Sequence, residues 1–252
     1  MNGSGYCDFA SYYDILTGNV DYSAIVAYYD RLIKKFGGKK GILLDLACGT
    51  GSASVLLSES GYDVIGVDLS PEMLTIAKSK PHENIEYLCQ DMCELDMFGT
   101  IDTTVCLLDG INHLDSRESV KRAFSRVSLF TEKDGLFLFD VNTVKKHTHI
   151  LADNAFVYDM EKLYCVWQNE LCEENEDDGG VKVDIYLDFF EENEHGDYRR
   201  SCDYFSEIAY PLSDIRSMLE ETGFEVLGCF DYLSDGEGDE NCEKVTFAAK
   251  KK

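Results

Sequence analysis

Two glycines and an aspartate in the stretch GILLDLACGTGSAS, residues 41–54, could together hold a small ligand. Gly49 and Gly51 have the spacing of a nucleotide-binding turn, and a backbone without Cβ lets a ligand approach closely. Asp45 precedes this turn in an apolar run, where its carboxylate would repel a pyrophosphate. It would attract an ammonium group, while the helix that begins near Ser52 could face a carboxylate. If the ligand is a zwitterionic amino-acid moiety attached to a nucleoside, this arrangement would suit both of its charges.

Two more carboxylates follow the next two strand-like runs. Asp68 ends the run VIGVD, a position from which a carboxylate can accept hydrogen bonds from both ribose hydroxyls. Asp91, in CQDMCEL, could accept from the exocyclic amine of adenine, with the Met92 amide facing a ring nitrogen. Taken alone, Asp91 is as well explained as a solvated loop acid. In order with Asp45 and Asp68, it predicts adenosine recognition.

Composition narrows the class of protein. The chain has 252 residues, 44% of them hydrophobic, which is enough for one large core with an appended subdomain. No apolar run approaches the roughly 18 to 20 residues of a membrane span, so we expect a soluble cytoplasmic protein without a membrane partner. The net charge of −25 repels a phosphate backbone and disfavours nucleic acid as a partner.

The ten cysteines fit free thiols in a reducing compartment better than a disulfide scaffold. Cys89 and Cys93 form the closest pair, but no second pair and no histidine lies at ligand spacing. We therefore expect no metal.

Residues 42 to about 141 alternate between short apolar runs and amphipathic stretches. The runs ILLDLA, YDVIGVDL, IEYLCQD, IDTTVCLLDG and GLFLFDVN predict five parallel strands covered by helices on both faces. In SPEMLTIAKSK, Ser70 is a plausible N-cap and Pro71 the first helical residue. In SRESVKRAFSRVSLF, Val120, Phe124, Val127 and either Leu129 or Phe130 form the apolar side of a helix.

The pattern changes after residue 149. Three β-rich runs separated by the turn-like clusters NEDDGG and NEHG predict antiparallel hairpins. A helix and the strands FEVLGCFDYL and EKVTFAAKK then finish the chain. We predict one domain, residues 1–149 and 207–252, with N-terminal helical cover and an inserted antiparallel β lid at residues 150–206.

The motifs LLDLACGTGSAS, VIGVDLSPEMLTIAKSK, IEYLCQDMCELD and IDTTVCLLDGINHL resemble, in order, motifs I, post-I, II and III of the class I S-adenosylmethionine-dependent methyltransferases. The resemblance covers about residues 40 to 145, and the tail IRSMLEETGFEVLGCF is similar to the family's last helix and strand. It implies an α/β, Rossmann-like sheet of seven strands in the order 3-2-1-4-5-7-6, with the last strand antiparallel. The inserted sheet is similar to the β lid of a bacterial small-molecule branch.

The resemblance also implies a set of cofactor contacts. S-adenosylmethionine would be the cofactor and S-adenosylhomocysteine its product. The residues expected to hold it are Tyr13, Tyr22, Asp45, Ala47, Cys48, Gly49, Gly51, Asp68, Leu69, Met73, Asp91, Met92 and Leu108.

Catalytic and substrate residues are hypotheses of lower specificity. His113, Asp109 and Tyr13 are the catalytic candidates, although a hydrogen-bonded structural histidine would explain His113 equally well. Tyrosines in an amphipathic segment are also more often core than catalytic, and His147 and His149 are expected at the surface. The residues expected at the acceptor are Tyr12, Trp167, Arg199 and Arg200, with an arginine placed to pair with a carboxylate.

Three functions compete. The leading one is in-line methyl transfer to a small molecule, for which a base is needed only if the acceptor must lose a proton. A nicotinamide-dependent oxidoreductase is opposed by Asp45, by the absence of a third glycine at residues 52–54 and by Asp91. A non-catalytic S-adenosylmethionine-binding protein stays open, as does the question whether the insert is a lid or a dimer interface in a monomer or homodimer.

Overall fold

The computed structural model describes residues 9–82, 85–172 and 178–252. Its strands are β1 (Ile42–Leu46), β2 (Asp63–Asp68), β3 (Glu86–Cys89), β4 (Ile101–Cys106), β5 (Thr131–Asn142), β6 (Ala155–Asp159), β7 (Leu163–Cys172), β8 (Val181–Glu192), β9 (Tyr198–Ala209), β10 (Phe224–Asp231) and β11 (Lys244–Lys251). Its helices are α1 (Phe9–Leu16), α2 (Tyr22–Lys35), α3 (Ser52–Glu59), α4 (Pro71–Ser79), α5 (Arg117–Phe130), α6 (Val144–Lys146) and α7 (Leu212–Glu221). Short 3₁₀ turns cover Met92–Glu94 and Gly110–His113, and a π-helical turn, His147–Leu151, follows α6. Among these residues, no helix is both long and apolar enough to cross a lipid bilayer.

Seven strands form the central sheet in the order β3-β2-β1-β4-β5-β11-β10. Strands β1 to β5 are parallel, and β11 lies antiparallel between β5 and β10. With β10 and β11 counted as the sixth and seventh strands, this is the predicted order 3-2-1-4-5-7-6, so the Rossmann-like methyltransferase fold is confirmed. Strand β5 is buried continuously from Gly135 to Asn142, as expected for a strand with helices on both faces.

Helices cover both faces of this sheet. On one face, α5 and α7 contribute Val120, Phe124 and Ile215 to the core, and on the other α2, α3 and α4 contribute side chains such as Leu32 and Leu57. Because parallel strands are joined by crossover helices, the chain passes from one face to the other and buries apolar side chains on each.

Local sequence signals explain where α4 begins and which side of α5 is buried. Ser70 caps α4 by accepting a hydrogen bond from the Met73 amide at 3.2 Å, and Pro71 is the first helical residue, as predicted. In α5, Phe130 packs against the core whereas Leu129 is 61% exposed, which decides between the two alternatives.

The inserted sheet has the order β6-β7-β8-β9, with every neighbouring pair antiparallel. Sequence patterning missed β6, because its burial alternates between exposed and half-buried residues. One face of the sheet packs Ile185, Phe189 and Phe205 against Phe9 and Met73. The insert therefore forms a third apolar cluster with α1 and the start of α4. Part of the predicted NEDDGG turn, residues 175–177, lies outside the described residues.

We expect Phe139→Ala to lower the free energy of unfolding by about 3–5 kcal/mol, because truncating a buried aromatic ring leaves a cavity. Phe139 is fully buried, and its ring centroid lies 4.7 Å from that of Phe137 and 5.5 Å from that of Phe247. Phe98→Ala is the matched control, because Phe98 is fully exposed. Denaturant unfolding that gave the two variants similar losses would contradict this assignment of the core.

Candidate active site

A cavity of about 660 Å³ opens at the carboxyl ends of the parallel strands, between the central sheet and the inserted sheet. Open α/β sheets bind ligands at this edge, where the strand order reverses on either side of β1. The glycine loop after β1 borders the cavity on one side, and aromatic side chains of the insert border it on the other. It has the size of a cofactor or drug-sized ligand site.

The loop after β1 depends on left-handed backbone conformations. Ala47, Gly49 and Gly51 have φ of 58°, 53° and 74°. A Cβ on Gly51 would lie 2.5 Å from the Tyr87 hydroxyl, so only glycine fits. Gly49 has nothing within 4 Å of its would-be Cβ, so a ligand could approach its backbone there.

Asp45 lies beneath this loop and is almost completely buried. Burial raises its pKa to about 7; the hydrogen bond from Ser54 works against the rise, whereas the nearby charge of Asp68 adds to it. The Ser54 hydroxyl donates to Asp45 Oδ2 at 2.5 Å. The carboxyl group therefore changes charge near neutral pH and would be ionised by a cation placed beside it.

Asp68, at the end of β2, holds two backbone amides. Its Oδ2 accepts from the Gly49 amide and its Oδ1 from the Ser70 amide, both at 2.8 Å. Burial raises the pKa of Asp68, and these two hydrogen bonds reduce the rise. Each carboxylate oxygen has a second lone pair, so the group can orient the glycine loop and still accept from ribose hydroxyls.

Asp91 follows β3 and caps the 3₁₀ turn Met92–Glu94 by accepting from the Cys93 amide at 2.8 Å. Asp91 and Met92 line the cavity beside Asp68 and Leu69. The Cys93 amide occupies only Oδ1 of Asp91, so Oδ2 can accept a further hydrogen bond while the side chain caps the turn.

The loop after β4 brings Leu108 and Asp109 to the cavity, with φ of 55° and 56°. Both backbone amides donate to the buried carboxylate of Asp140, at 2.9 Å and 2.7 Å respectively. These hydrogen bonds hold two non-glycine residues in a conformation that costs about 1–3 kcal/mol each. The site thus contains three such residues: Ala47, Leu108 and Asp109.

A polar floor closes the cavity below these loops. Asp109 Oδ2 accepts from Lys244 Nζ and Asn142 Nδ2, both at 2.9 Å. Asn142 Nδ2 also donates to Glu207 Oε2 at 3.0 Å, and Lys146 Nζ donates to Asn142 Oδ1 at 2.9 Å. We call Asp109, Asn142, Lys146, Glu207 and Lys244 the polar floor.

Charges on the floor balance one another. Burial alone would raise the pKa of Asp109, but Lys244 and Lys146 outweigh it and hold this pKa well below its usual range. Burial lowers the pKa of Lys146, and the like charge of Lys244 lowers it further. Asp109 is therefore an ionised carboxylate at neutral pH.

His147 is completely buried, so the expectation that it lies at the surface was wrong. Its Nδ1 lies 2.9 Å from the Val181 carbonyl oxygen, which can only accept, so Nδ1 carries a proton. Its Nε2 lies 3.4 Å from Glu207 Oε2, a contact that is attractive only when one of the two atoms is protonated. Burial alone would raise the pKa of Glu207, but the neighbouring His147 lowers it, and the net shift is downward.

His113 lies in the cavity wall, with its ring centroid 5.3 Å from that of Phe205. Side-chain donor atoms of Asp109, His113 and Glu207, one from each residue, all lie within 4.8 Å of one another. These are residue types that can ligate a metal and can also bind an ammonium group.

Aromatic side chains form the roof. The cavity is lined there by Phe9, Tyr13, Tyr22, Trp167 and Phe205. Burial raises the pKa of Tyr13 well above its usual value, so its hydroxyl is neutral. The cofactor candidates Ala47, Cys48, Gly49 and Met73 also line the cavity, whereas Gly51 lies behind it and shapes the loop.

Three of the four predicted substrate residues do not line the cavity. Arg200 is exposed and pairs with Asp188 at 2.6 Å, on the far side of the inserted sheet from Glu207. Arg199 is exposed opposite Glu191 in the register of β8 and β9. Tyr12 donates from its hydroxyl to Glu191 at 3.1 Å. The cations that line the cavity are therefore Lys146 and Lys244 rather than either arginine.

Sequence reasoning missed four members of the polar floor. Asn142 ends β5, so the rule that selected Asp45 and Asp68 at strand ends would also have selected it. Lys244 is the first residue of β11. Because β11 is antiparallel to β5, this first residue lies opposite Asn142, at the edge where the parallel strands end. Lys146 and Glu207 had no local signal, since their relevance depends on how the insert folds back.

Comparisons with known proteins agree with this geometry. A family model described as a methyltransferase domain matches residues 43–135. A protein of Geobacillus sp. (strain WCH70) named as a methyltransferase is 34% identical over 251 residues, covering 98% of this chain and 99% of that protein. The chain belongs to the class I S-adenosylmethionine-dependent methyltransferases.

Two solved methyltransferases have the same fold. An S-adenosylmethionine-dependent methyltransferase from Clostridium acetobutylicum ATCC 824 superposes with a TM-score of 0.83 at 28% identity, covering 97% of this chain and 98% of that one. CalS10, an amino pentose methyltransferase from Micromonospora echinaspora solved with S-adenosylmethionine bound, superposes with a TM-score of 0.75 at 15% identity, covering 96% and 97%.

The raised pKa of Asp45 makes the stability of this methyltransferase depend on pH. An unfolded aspartate titrates near pH 3.9 and folded Asp45 near 7, so between these values the folded state holds a proton that unfolding releases. The contribution of Asp45 to the free energy of unfolding is fully present below about pH 4. It is lost as pH rises to 7, by up to about 1.4 kcal/mol per pH unit.

We therefore expect Asp45→Asn, which cannot ionise, to become increasingly stable relative to the parent between pH 4.5 and 7.5. The asparagine Oδ1 can still accept from Ser54. Denaturant unfolding of the ligand-free proteins at several pH values measures the difference, with Asp63→Asn as an exposed control on β2. A difference that does not change with pH would show that Asp45 is ionised throughout.

Proposed function

We propose that the protein transfers the methyl group of S-adenosylmethionine to a small-molecule acceptor bound between the central sheet and the inserted sheet. The observation that carries the proposal is one continuous cavity, which joins the Gly49 loop and Asp68 to the polar floor and the aromatic roof. The likeness in fold to CalS10, an amino pentose methyltransferase, supports a small acceptor.

The residues around the glycine loop fit the cofactor. Asp45 is buried and has a pKa of about 7, and it would pair with the ammonium group of the cofactor directly or through water. Gly49 leaves room for the cofactor to approach the backbone of the loop. Asp68 would accept from the ribose, and Asp91 with Met92 would meet the adenine. The remaining proposed contacts are Tyr13, Tyr22, Ala47, Cys48, Leu69, Met73 and Leu108, all of which line the cavity.

The bound sulfonium supplies an already activated methyl group, so the protein's main tasks are alignment and exclusion of water. Leu108 and Asp109 border both the cofactor side and the floor, and they are held in a fixed conformation by Asp140. Phe9, Trp167 and Phe205 close the opposite side against solvent. Asp109 and His113 are the proposed groups at the acceptor.

We further propose that residues 150–206, together with the end of β9, act as a lid. Contact of the inserted sheet with Phe9, Leu16 and Met73 supports this role, because those residues also line the cavity. A purely dimeric role for the insert would not require its buried face to border a ligand site. The proposed setting is the reducing cytoplasm, where buried thiols such as Cys106 and Cys165 stay free.

We expect Asp68→Ala to weaken S-adenosylhomocysteine binding by about 2–4 kcal/mol, or roughly 30- to 1000-fold, through loss of ribose hydrogen bonds and of the amide contact that orders the glycine loop. Asp63→Ala, at the exposed start of the same strand, should bind like the parent. Calorimetry with S-adenosylhomocysteine and, in parallel, NAD measures both affinities. Unchanged affinity in Asp68→Ala, or tighter binding of NAD by the parent, would refute the cofactor assignment.

Turnover is tested separately with S-adenosylmethionine labelled in its methyl group and a pooled extract of small metabolites. The parent should move label into a low-molecular-mass product, and Asp68→Ala should move little. If the parent binds the cofactor but transfers no label to any fraction, the protein is a non-catalytic binder.

A further inference from the structure

At one end of the cavity, two residues of the polar floor and His113 of the adjoining wall form a cluster of hydrogen-bond acceptors. Asp109, His113 and Glu207 come from the loop after β4 and from the inserted sheet, and one donor atom of each lies within 4.8 Å of the other two. Because the three atoms are at most 4.8 Å apart, a single position lies within about 2.8 Å of all three, which is hydrogen-bonding distance. A primary ammonium group has three N–H donors in such an arrangement.

Hydrogen bonding on the floor leaves one oxygen of each carboxylate with its acceptor capacity unused. The bonds to Asp109 end on Oδ2, and those to Glu207 end on Oε2. Within the described parts of the chain, neither Asp109 Oδ1 nor Glu207 Oε1 has a hydrogen-bonding partner. Despite burial, Lys244 and Lys146 hold the pKa of Asp109 well below its usual range, and His147 lowers the pKa of Glu207, so both carboxylates are ionised at neutral pH. Each of these charged groups therefore presents an oxygen that accepts.

Aromatic rings surround the same space. Phe9, Trp167 and Phe205 contact one another with centroids 5.6 to 6.2 Å apart, and all three line the cavity. Aromatic faces attract a cation and also pack against an apolar body. Ile185 and Leu151 add aliphatic surface beside them.

We propose that the acceptor of the methyltransferase is a small amine with an apolar body, bound as its ammonium by Asp109, Glu207 and His113. This inference rests on the proposed function and names the acceptor class of the same site. Attack requires a nitrogen lone pair, so one N–H bond breaks and its proton passes to the imidazole of His113 while the bonding electrons stay on nitrogen. The sulfonium supplies the methyl group, and its sulfur keeps the electron pair of the broken C–S bond.

The floor distinguishes an amine from an aliphatic alcohol by base strength. An imidazole, with an ordinary pKa of about 6.5, can take a proton from an ammonium of pKa about 10 during attack, but it is far too weak a base to generate an alkoxide; the two carboxylates only bind the cation. A divalent metal at the same three residues is the competing occupant, and it is disfavoured by the two lysines beside Asp109.

Binding can be followed without turnover, because Trp167 is the single tryptophan of the chain and lines the cavity. The probes are 2-phenylethylammonium and its neutral counterpart 2-phenylethanol, titrated against the full-length protein while tryptophan fluorescence is recorded. We expect the ammonium to bind at least tenfold more tightly than the alcohol. In Glu207→Gln and Asp109→Asn this preference should fall towards unity, and in Glu170→Gln, an exposed acid on β7, it should persist.

Circular dichroism and S-adenosylhomocysteine calorimetry on each variant separate loss of the ammonium site from misfolding. The proposal is overturned if the alcohol binds as tightly as the ammonium, if no ammonium binding is detected at millimolar concentration, or if folded Glu207→Gln keeps the preference. Saturable binding of Mn²⁺ alone that is lost in Asp109→Asn would identify a metal site and overturn it as well. Ammonium selectivity without S-adenosylhomocysteine binding would instead contradict the proposed function and leave this site intact.

Discussion

The carboxylate of Asp140 connects more of this structure than any other single group described above. It is completely buried at the end of β5 and accepts hydrogen bonds from the Tyr29 hydroxyl at 3.0 Å and from the amides of Leu108 and Asp109. Lys244 lies 3.3 Å away and supplies the opposite charge. One ionic group therefore joins α2, the loop after β4, β5 and β11, because a buried carboxylate is stable only when its acceptors are used and its charge is balanced.

This constraint reaches the cavity through Lys244, which pairs with both Asp140 and Asp109. Both carboxylates raise the pKa of Lys244, so it remains charged although it is buried. Asp109 in turn accepts from Asn142, which also holds Glu207 of the insert. The inserted sheet is thus connected by hydrogen bonds and ion pairs to the core of the central sheet, and this connection sets the charge of the polar floor, where we propose that the acceptor binds.

The sequence alone was enough to predict those features that depend on local patterns of residues. Alternating apolar runs and helix signals such as Ser70 and Pro71 located the strands and helices of the central sheet, and strand ends located Asp45 and Asp68. Contacts between distant segments could not be predicted. Glu207 meets Asn142 only through the fold of β9, and His147 is buried only because the π-helical turn that it begins packs against β7 and β8. The arginines illustrate the same limit. Arg200 faces away from Glu207 by strand alternation, and Arg199 lies about 20 Å along the strand from Phe205.

The central claim is that the acidic strand ends and the glycine loop form the cofactor half of one continuous cavity, with the acceptor half at the polar floor. A crystal structure of the protein with S-adenosylhomocysteine tests it most directly. We expect the ribose hydroxyls within hydrogen-bonding distance of Asp68, the amino group above Asp45 directly or through one water, and the sulfur directed towards Asp109 and His113. Density for the ligand outside this cavity, or with its ribose remote from Asp68, would contradict the account.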